Sequence, residues 1–319
     1  MVIKRVLILV GLALIAVSCG NDDNGIVTVP PRLLSEVAPE NDDEIQEFLS
    51  THFYNYEEFQ NPPAGFDFRI VIDTIAGENS DKIPLLEQVS SATVTVSATE
   101  FALEDGEEDI PHTYYYLVAR EGVGAYPSEA DSTFVRYQGI TLDRRVFDGA
   151  TETAIWFDLA QIQAPLEGFR GFSVGMQHFR TGGAPIINPD GTFSVEDYGV
   201  GMFIFPSGLG SFNSFFGGIP QYAPLIFTVE LFAYNQTDHD GDGIPSIMED
   251  LNGNGFLYDD NTDEDEETNT LRISNFLDFD DDNDGTPTRD EIDFDGEGNP
   301  VFRDTDGDGV FDHLDPDTN

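Results

Sequence analysis

Across 319 residues, 61 Asp and Glu stand against only 14 Lys and Arg, a formal charge of −47 at neutral pH. That balance excludes nucleic acid as a partner, because phosphate contacts need Lys and Arg. It also disfavours electrostatic docking on anionic lipid and leaves divalent cations as the natural counter-ions. The length suits about two domains, and a hydrophobic content of 39% supports at least one packed core.

The chain opens on a targeting segment. Lys4 and Arg5 give a positive start, and residues 6–16 form an apolar run too short for the roughly 20 residues that span a bilayer. The stretch Ala16-Val17-Ser18-Cys19 closes it and resembles the lipobox of bacterial lipoproteins. The resemblance implies a signal peptide over 1–18, acylation of Cys19, and membrane attachment through that lipid. The following Gly20-Asn21-Asp22-Asp23-Asn24 looks like the acidic tags that send some lipoproteins to the cell surface. The expected address is thus the outer membrane. Cys19 is the only cysteine, so no disulfide braces the mature chain, although such a compartment permits them.

Residues 19–40 read as a flexible tether. Asn41, with Glu44 three positions on, has the form of a capping box opening a helix whose face carries Ile45, Phe48, Leu49 and Phe53. His52 belongs to the surface or boundary of that helix. Residues 68–72 and 92–101 are rich in β-branched residues, the latter alternating Val94, Val96 and Ala98 with Thr93, Thr95 and Ser97, and both predict strands. The segment 41–111 forms an N-terminal extension with no family of its own.

Tyr114-Tyr115-Tyr116-Leu117-Val118 begins a further strand and leads, through Pro127 and Asp131, to Thr133-Phe134-Val135-Arg136-Tyr137-Gln138-Gly139. Phe147-Asp148 follows. At the far end stand Ile219-Pro220 and Leu225-Ile226-Phe227-Thr228-Val229-Glu230-Leu231. Together these runs resemble the FKBP-type peptidyl-prolyl isomerases over residues 112–236. That family's pattern is a Val-x-Tyr-x-Gly strand, a Phe-Asp pair and a closing Ile-Pro…Leu-x-Phe-x-Val-Glu-Leu strand. Residues 173–198, rich in Gly and Pro and without a clear period, read as an insertion or elongated loop. The resemblance implies an α+β fold, an antiparallel sheet wrapped around a short helix near 166–174. It implies proline-containing polypeptides as clients and no cofactor for catalysis.

Prolyl isomerisation needs no nucleophile, metal or proton shuttle. Its barrier of about 18–20 kcal/mol is amide resonance, and a protein lowers it by enclosing the amide where the twisted form is favoured over the planar one. The expected signature is a cup of aromatic and aliphatic side chains with one or two hydrogen-bonding groups. Carried over from the family, the cup comprises Tyr137, Phe147, Asp148, Trp156 or its neighbour Phe157, Leu166, Phe169, Leu209, Ile219 and Phe227. Leu166 would donate its backbone N–H to the substrate carbonyl, and Phe169 would form the floor. Two positions depart from the pattern: Phe169 replaces the usual tryptophan, and Leu209 replaces a tyrosine. Phe212, Phe215 and Phe216 are available to refill the cup.

From Asp238 the character changes. Residues 238–319 hold 28 acids against Arg272, Arg289 and Arg303. Asp238, Asp240 and Asp242 precede a glycine, with Glu249 at the twelfth place. The arithmetic recurs at Asp250, Asn252 and Asn254, and at Asp280, Asp282 and Asp284 with Glu291. It returns at Asp293 and Asp295, and at Asp304, Asp306 and Asp308 with Asp315. Oxygens at positions 1, 3 and 5, a glycine at 6 and a carboxylate near 12 are calcium-loop spacing. No helical pattern flanks the loops, and Pro245 interrupts the first. The array over 237–319 therefore resembles thrombospondin type 3 repeats rather than EF-hands, with calcium as its structural ion.

The expected protein is an outer-membrane lipoprotein carrying a peptidyl-prolyl isomerase domain and a calcium-ordered acidic tail. The alternatives are an FKBP-like domain that binds peptide with little turnover, and a calcium-stiffened structural or adhesion component.

Overall fold

Six antiparallel strands form the central sheet of the computed structural model, which describes residues 30–164, 167–190, 193–264 and 273–318. In chain order they are β1 (Ser90–Val96), β2 (Ile110–Arg120), β3 (Ser132–Thr141), β4 (Val146–Asp158), β5 (Gly199–Phe205) and β6 (Leu225–Asn235). Across the sheet the order is β1-β2-β5-β6-β3-β4. Cys19 and the segment read as a signal peptide lie outside the described residues. No helix among those described is long and apolar enough to cross a membrane.

Both faces of the sheet are covered. The consequence is clearest in β5, where all seven residues are buried. Its alternation is still present, but each half of it meets a different layer. Phe203 and Phe205 point to a front core with Phe172, Tyr137, Phe227 and Val229. Met202 and Ile204 point to a back core with Tyr115, Leu117, Ile140 and Ile226.

The front layer is helix α3 (Arg170–Met176), a two-turn helix buried at every position. The first helix α1 (Leu34–Thr51) supplies Ile45, Phe48 and Leu49 to the back layer. Beside it a short helix α2 (Tyr56–Gln60) and a two-stranded ribbon, His52–Tyr54 with Ile72–Thr74, add Phe53, Tyr54 and Tyr56. Of the run 68–72 only Ile72 is in a strand. β1 stops at Val96, and residues 98–101 turn as a 3-10 helix under a capping box on Ser97. The sheet starts at Ser90, within the stretch read from sequence as an extension. Residues 32–319 form one compact unit.

The sequence places the start of α1 too late. Asn41 is no N-cap. The helix begins seven residues earlier, at Leu34, and runs through Pro39 despite the backbone hydrogen bond a proline forfeits. Asn41 is spent on tertiary contacts instead. Its Oδ1 accepts from the Ser207 amide at 2.8 Å and from the Ser207 hydroxyl at 2.6 Å, and its Nδ2 donates to the Tyr222 carbonyl at 3.0 Å. His52 lies where expected, at the helix end, with its ring stacked on Phe48.

Candidate functional site

Register brings the aromatic set together. Phe227 of β6 lies opposite Phe203 on one side and Gly139 on the other, and Gly139 in turn opposes Asp148. Glycine is required at 139, because a Cβ there would come within 2.6 Å of the Phe147 ring and 2.9 Å of the Phe227 ring. The missing side chain lets those rings meet edge-on, their centroids 5.6 Å apart. Phe169, just before α3, packs at 6.2 Å from Phe227 and 6.4 Å from Phe147. The Tyr137 hydroxyl donates to Asp148 Oδ2 at 2.6 Å, which fixes the tyrosine ring across the cup. Burial and that carboxylate both push the Tyr137 hydroxyl well above its ordinary pKa, so it remains a proton donor.

α3 comes close to the sheet through two more glycines one turn apart. A Cβ on Gly171 would strike the Phe205 ring at 2.4 Å, and one on Gly175 the Phe203 ring at 2.6 Å. The rings fill the hollow that the glycines leave on the helix. The structure thus brings Tyr137, Phe147, Phe169 and Phe227 together, with Asp148 bonded to Tyr137 and Ile219 buried in the same core.

Trp156 is not part of the cup. It is 49% exposed and lies 5.2 Å from Phe134, outside the front core. Phe157 takes the place, 5.1 Å from both Tyr137 and Phe172. The cause is a bulge: Val135 pairs with Ile155 and Tyr137 with Ala150, so β4 runs five residues while β3 runs two. The odd surplus reverses the parity of β4, and Phe157 replaces its neighbour on the inner face. Leu166 lies outside the described residues.

The cup itself is filled by its own rings, Phe227 being only 2% exposed. The opening lies beside it. A cavity of about 190 Å³ is bounded by Phe101, Phe169, Arg170, Leu209, Ser211 and Phe216. Phe216 packs on Phe169 at 5.5 Å, so the 211–218 loop covers part of the floor. Leu209 ends the 3-10 turn Ser207–Leu209, whose amide at Ser207 is the one held by Asn41. α1 thereby anchors the rim.

Arg170 and Gln163 form the polar side of the cavity, and sequence reasoning passed over both. The Arg170 guanidinium donates to Glu100 at 2.8 Å, to the Thr95 carbonyl at 2.8 Å and to the Asn254 carbonyl at 2.8 Å, and it stacks 5.0 Å over Phe256. Gln163 accepts from the Leu257 amide at 3.2 Å and donates to the Glu129 carbonyl at 3.1 Å. Both side chains connect the cavity wall to the acidic segment, at Asn254 and Leu257. A lone cation inside the apolar run Gly168–Met176 was the available signal for Arg170.

The acidic segment has more of a core than its composition suggests. Leu257 and Phe276 cluster with Ala130 and Ala160 of the sheet domain. His239 pairs its Nε2 with Asp158 Oδ2 at 2.9 Å and its Nδ1 with the Ser246 hydroxyl at 2.8 Å. The first and third Asp loops are each followed by a single helical turn, Ser246–Glu249 and Thr288–Glu291. Those turns carry the twelfth-place carboxylates, Glu249 and Glu291, back over their loops.

Three loop clusters form as the spacing implies: Asp238 with Asp240 and Asp242, Asp280 with Asp282 and Asp284, and Asp304 with Asp306 and Asp308. A fourth joins Asp240 and Glu249 to Asp281, a residue the spacing did not select. Among the buried side-chain oxygens without a hydrogen-bond partner are both of Glu249, both of Asp281 and both of Glu291. Burial, then the neighbouring carboxylates, pushes Glu249 up to about 11, Asp281 to about 9 and Glu291 to about 8. Buried carboxylates that lack donors and repel one another fit a bound cation.

The remaining stretches behave differently. Asp250 accepts from the Gly253, Asn254 and Gly255 amides, and Asn252 and Asn254 both donate to Asp259, so this loop is closed by its own hydrogen bonds. Asp293 lies on a hairpin strand, Ile292–Phe294 paired with Pro300–Phe302, and Asp295 turns the hairpin by accepting from Glu297 and Asn299. The hairpin occupies the length on which a metal loop was expected, because its alternating Ile292 and Phe294 favour a strand. Asp315 lies beyond the last cluster and closes the turn at Asp317 and Thr318.

Residues 239–298 match the family model described as BamM C-terminal. That is the family matched in the acidic segment, in place of the thrombospondin type 3 repeats the Asp spacing suggested. No curated protein matches the chain. Solved structures similar to it include a peptidyl-prolyl cis-trans isomerase from Pseudomonas syringae pv. tomato, at 21% identity over 39% of this chain and 76% of that one, TM-score 0.29. FkpA from Escherichia coli is 23% identical over 43% of this chain and 55% of its own, TM-score 0.30. A multi-domain immunophilin from Arabidopsis thaliana is 16% identical over 46% of this chain and 55% of its own, TM-score 0.32.

Proposed function

We propose that the sheet-and-helix domain acts on proline-containing polypeptides as a peptidyl-prolyl cis-trans isomerase, and that its clients are envelope or exported proteins. The observation that carries this reading is the ring set of Tyr137, Phe147, Phe169 and Phe227, locked by the Tyr137–Asp148 hydrogen bond beside an open apolar cavity. The cavity is smaller than the roughly 300–1,000 Å³ of pockets that engulf drug-sized ligands. Its volume suits one side chain of an extended polypeptide passing over the rim. Phe169 and Leu209 would take the proline ring, and water excluded there would favour the twisted amide, whose nitrogen no longer shares its lone pair with the carbonyl. No proton transfer or covalent step is required of the protein.

A second reading, peptide binding with little turnover, is favoured by Phe216 over the floor and by Leu209, which offers no hydroxyl to the substrate. A protease-coupled assay on proline tetrapeptides separates the two. Acceleration that scales with protein and falls at least tenfold in Phe169→Ala supports isomerisation. Peptide retention on the domain without acceleration supports the binding module.

The same proposal anchors the chain in the outer membrane through acylated Cys19 and assigns calcium to the loops at Asp238–Asp242, Asp280–Asp284 and Asp304–Asp308. Bound calcium would supply positive charge to these clusters, the first two of which hold buried carboxylate oxygens without a partner. Docked on the sheet domain, a calcium-ordered acidic module acts as a brace rather than a loose tail.

A further inference from the structure

We propose that Asp240, Glu249 and Asp281 together hold a divalent cation that clasps the first Asp loop to the third, with Asp281 as its cross-loop ligand. One oxygen from each residue lies within 4.8 Å of the others. Glu249 is 3% exposed and Asp281 2% exposed, and neither carboxylate has a hydrogen-bond partner on either oxygen. Asp240 adds a third unpartnered oxygen, Oδ2.

The backbone explains how Asp281 comes to face the wrong loop. Asp280 and Asp282 turn inward to their own cluster with Asp284. The residue between them is directed away, and its amide is pinned by the Thr288 hydroxyl at 3.0 Å. Asp281 therefore meets Glu249, which the turn Ser246–Glu249 has brought back over the first loop. No N–H or O–H of the described residues reaches any of these five oxygens. A cation meets the requirement directly. An all-carboxylate donor set without nitrogen or sulfur selects a hard ion of the calcium type over zinc or copper. The site holds the 238–249 loop against the segment that carries Phe276, whose ring is fixed against Ala130 and Ala160 of the sheet domain.

This inference rests on the calcium reading of the acidic segment and deepens it, and its test separates the two. Thermal unfolding and calorimetric calcium titration are compared for the wild-type protein, Asp281→Asn and the control Asp43→Asn, an exposed acid on α1 away from every Asp loop. Removing a buried carboxyl that has no hydrogen-bond donor stabilises the metal-free form, so Asp281→Asn should melt higher than wild type in chelator. In calcium it should gain less than half of the wild-type rise and bind one ion fewer. Asp43→Asn should match wild type both in chelator and in calcium. If wild type is stabilised by calcium and Asp281→Asn responds identically, the cross-loop site is overturned while the loop sites stand. If wild type gains nothing from calcium, both readings fall. Failure of Asp281→Asn to fold in chelator also overturns the site, and Glu249→Gln repeats the comparison from the other loop.

Discussion

At the residue scale, single side chains set the shape of the cup and its rim. Gly139→Ala drives a methyl into the Phe147 and Phe227 rings, and overpacking of this kind costs about 1–3 kcal/mol. Chemical denaturation is expected to show that loss together with reduced peptide affinity. Asn41→Leu strands the Ser207 amide and the Tyr222 carbonyl inside the fold. Leaving buried groups unpaired costs about 1–3 kcal/mol each, so the denaturation midpoint should fall and the 207–222 rim should exchange amide protons faster. Trp156→Ala, at an exposed position away from the core, should leave both stability and peptide binding nearly unchanged. The ring set was readable only through the resemblance of Val135–Gly139, Phe147-Asp148 and Leu225–Leu231 to a family pattern. The sequence hid the exchange of Trp156 for Phe157, since a bulge in β4 has no residue signature. It also hid the role of Asn41, whose type and spacing match a helix cap while its partners lie more than 160 residues away.

At the scale of elements, α3 is the joint between the two halves of the structure. Its first residue, Arg170, ties β1 and Glu100 to the carbonyl of Asn254. Burial pushes the Glu100 carboxyl up, and Arg170 opposes that push. Breaking a buried ion pair by removing one partner costs about 3–5 kcal/mol. Arg170→Met should lower stability on that order and make the 250–260 loop more accessible to protease, whereas an undocked tail would show no change there. The acidic loops gather the carboxylate clusters that the spacing implies at Asp238–Asp242, Asp280–Asp284 and Asp304–Asp308. They were not legible where Ile292 and Phe294 favour a strand and convert a loop into a hairpin. Asp281 was invisible to loop arithmetic because its partners belong to another loop.

For the whole molecule, charge governs the response to pH. The carboxyls of Asp240 and Asp260 are pushed up to about 7, those of Asp242 and Asp282 to about 6, and those of Glu291 and Asp281 to about 8 and 9, in each case first by burial. A folded-state pKa above the unfolded one contributes stability that is complete below about pH 4 and is lost as pH rises through the folded value. In chelator the melting temperature should therefore fall steadily from pH 5 to pH 9. Calcium competes with protons for the same oxygens, so the stabilisation it gives should grow over that range. A melting temperature in chelator that rises between pH 5 and pH 9 would contradict the burial of these acids.

The account depends most on the apolar opening beside Phe169 and Leu209. The direct measurement is the rate of cis-to-trans conversion of a proline tetrapeptide with the purified protein, read by a coupled protease and repeated with Phe169→Ala. The account predicts acceleration proportional to protein concentration that falls at least tenfold in the variant. A rate equal to the uncatalysed one at every concentration, with no peptide retained, would contradict it.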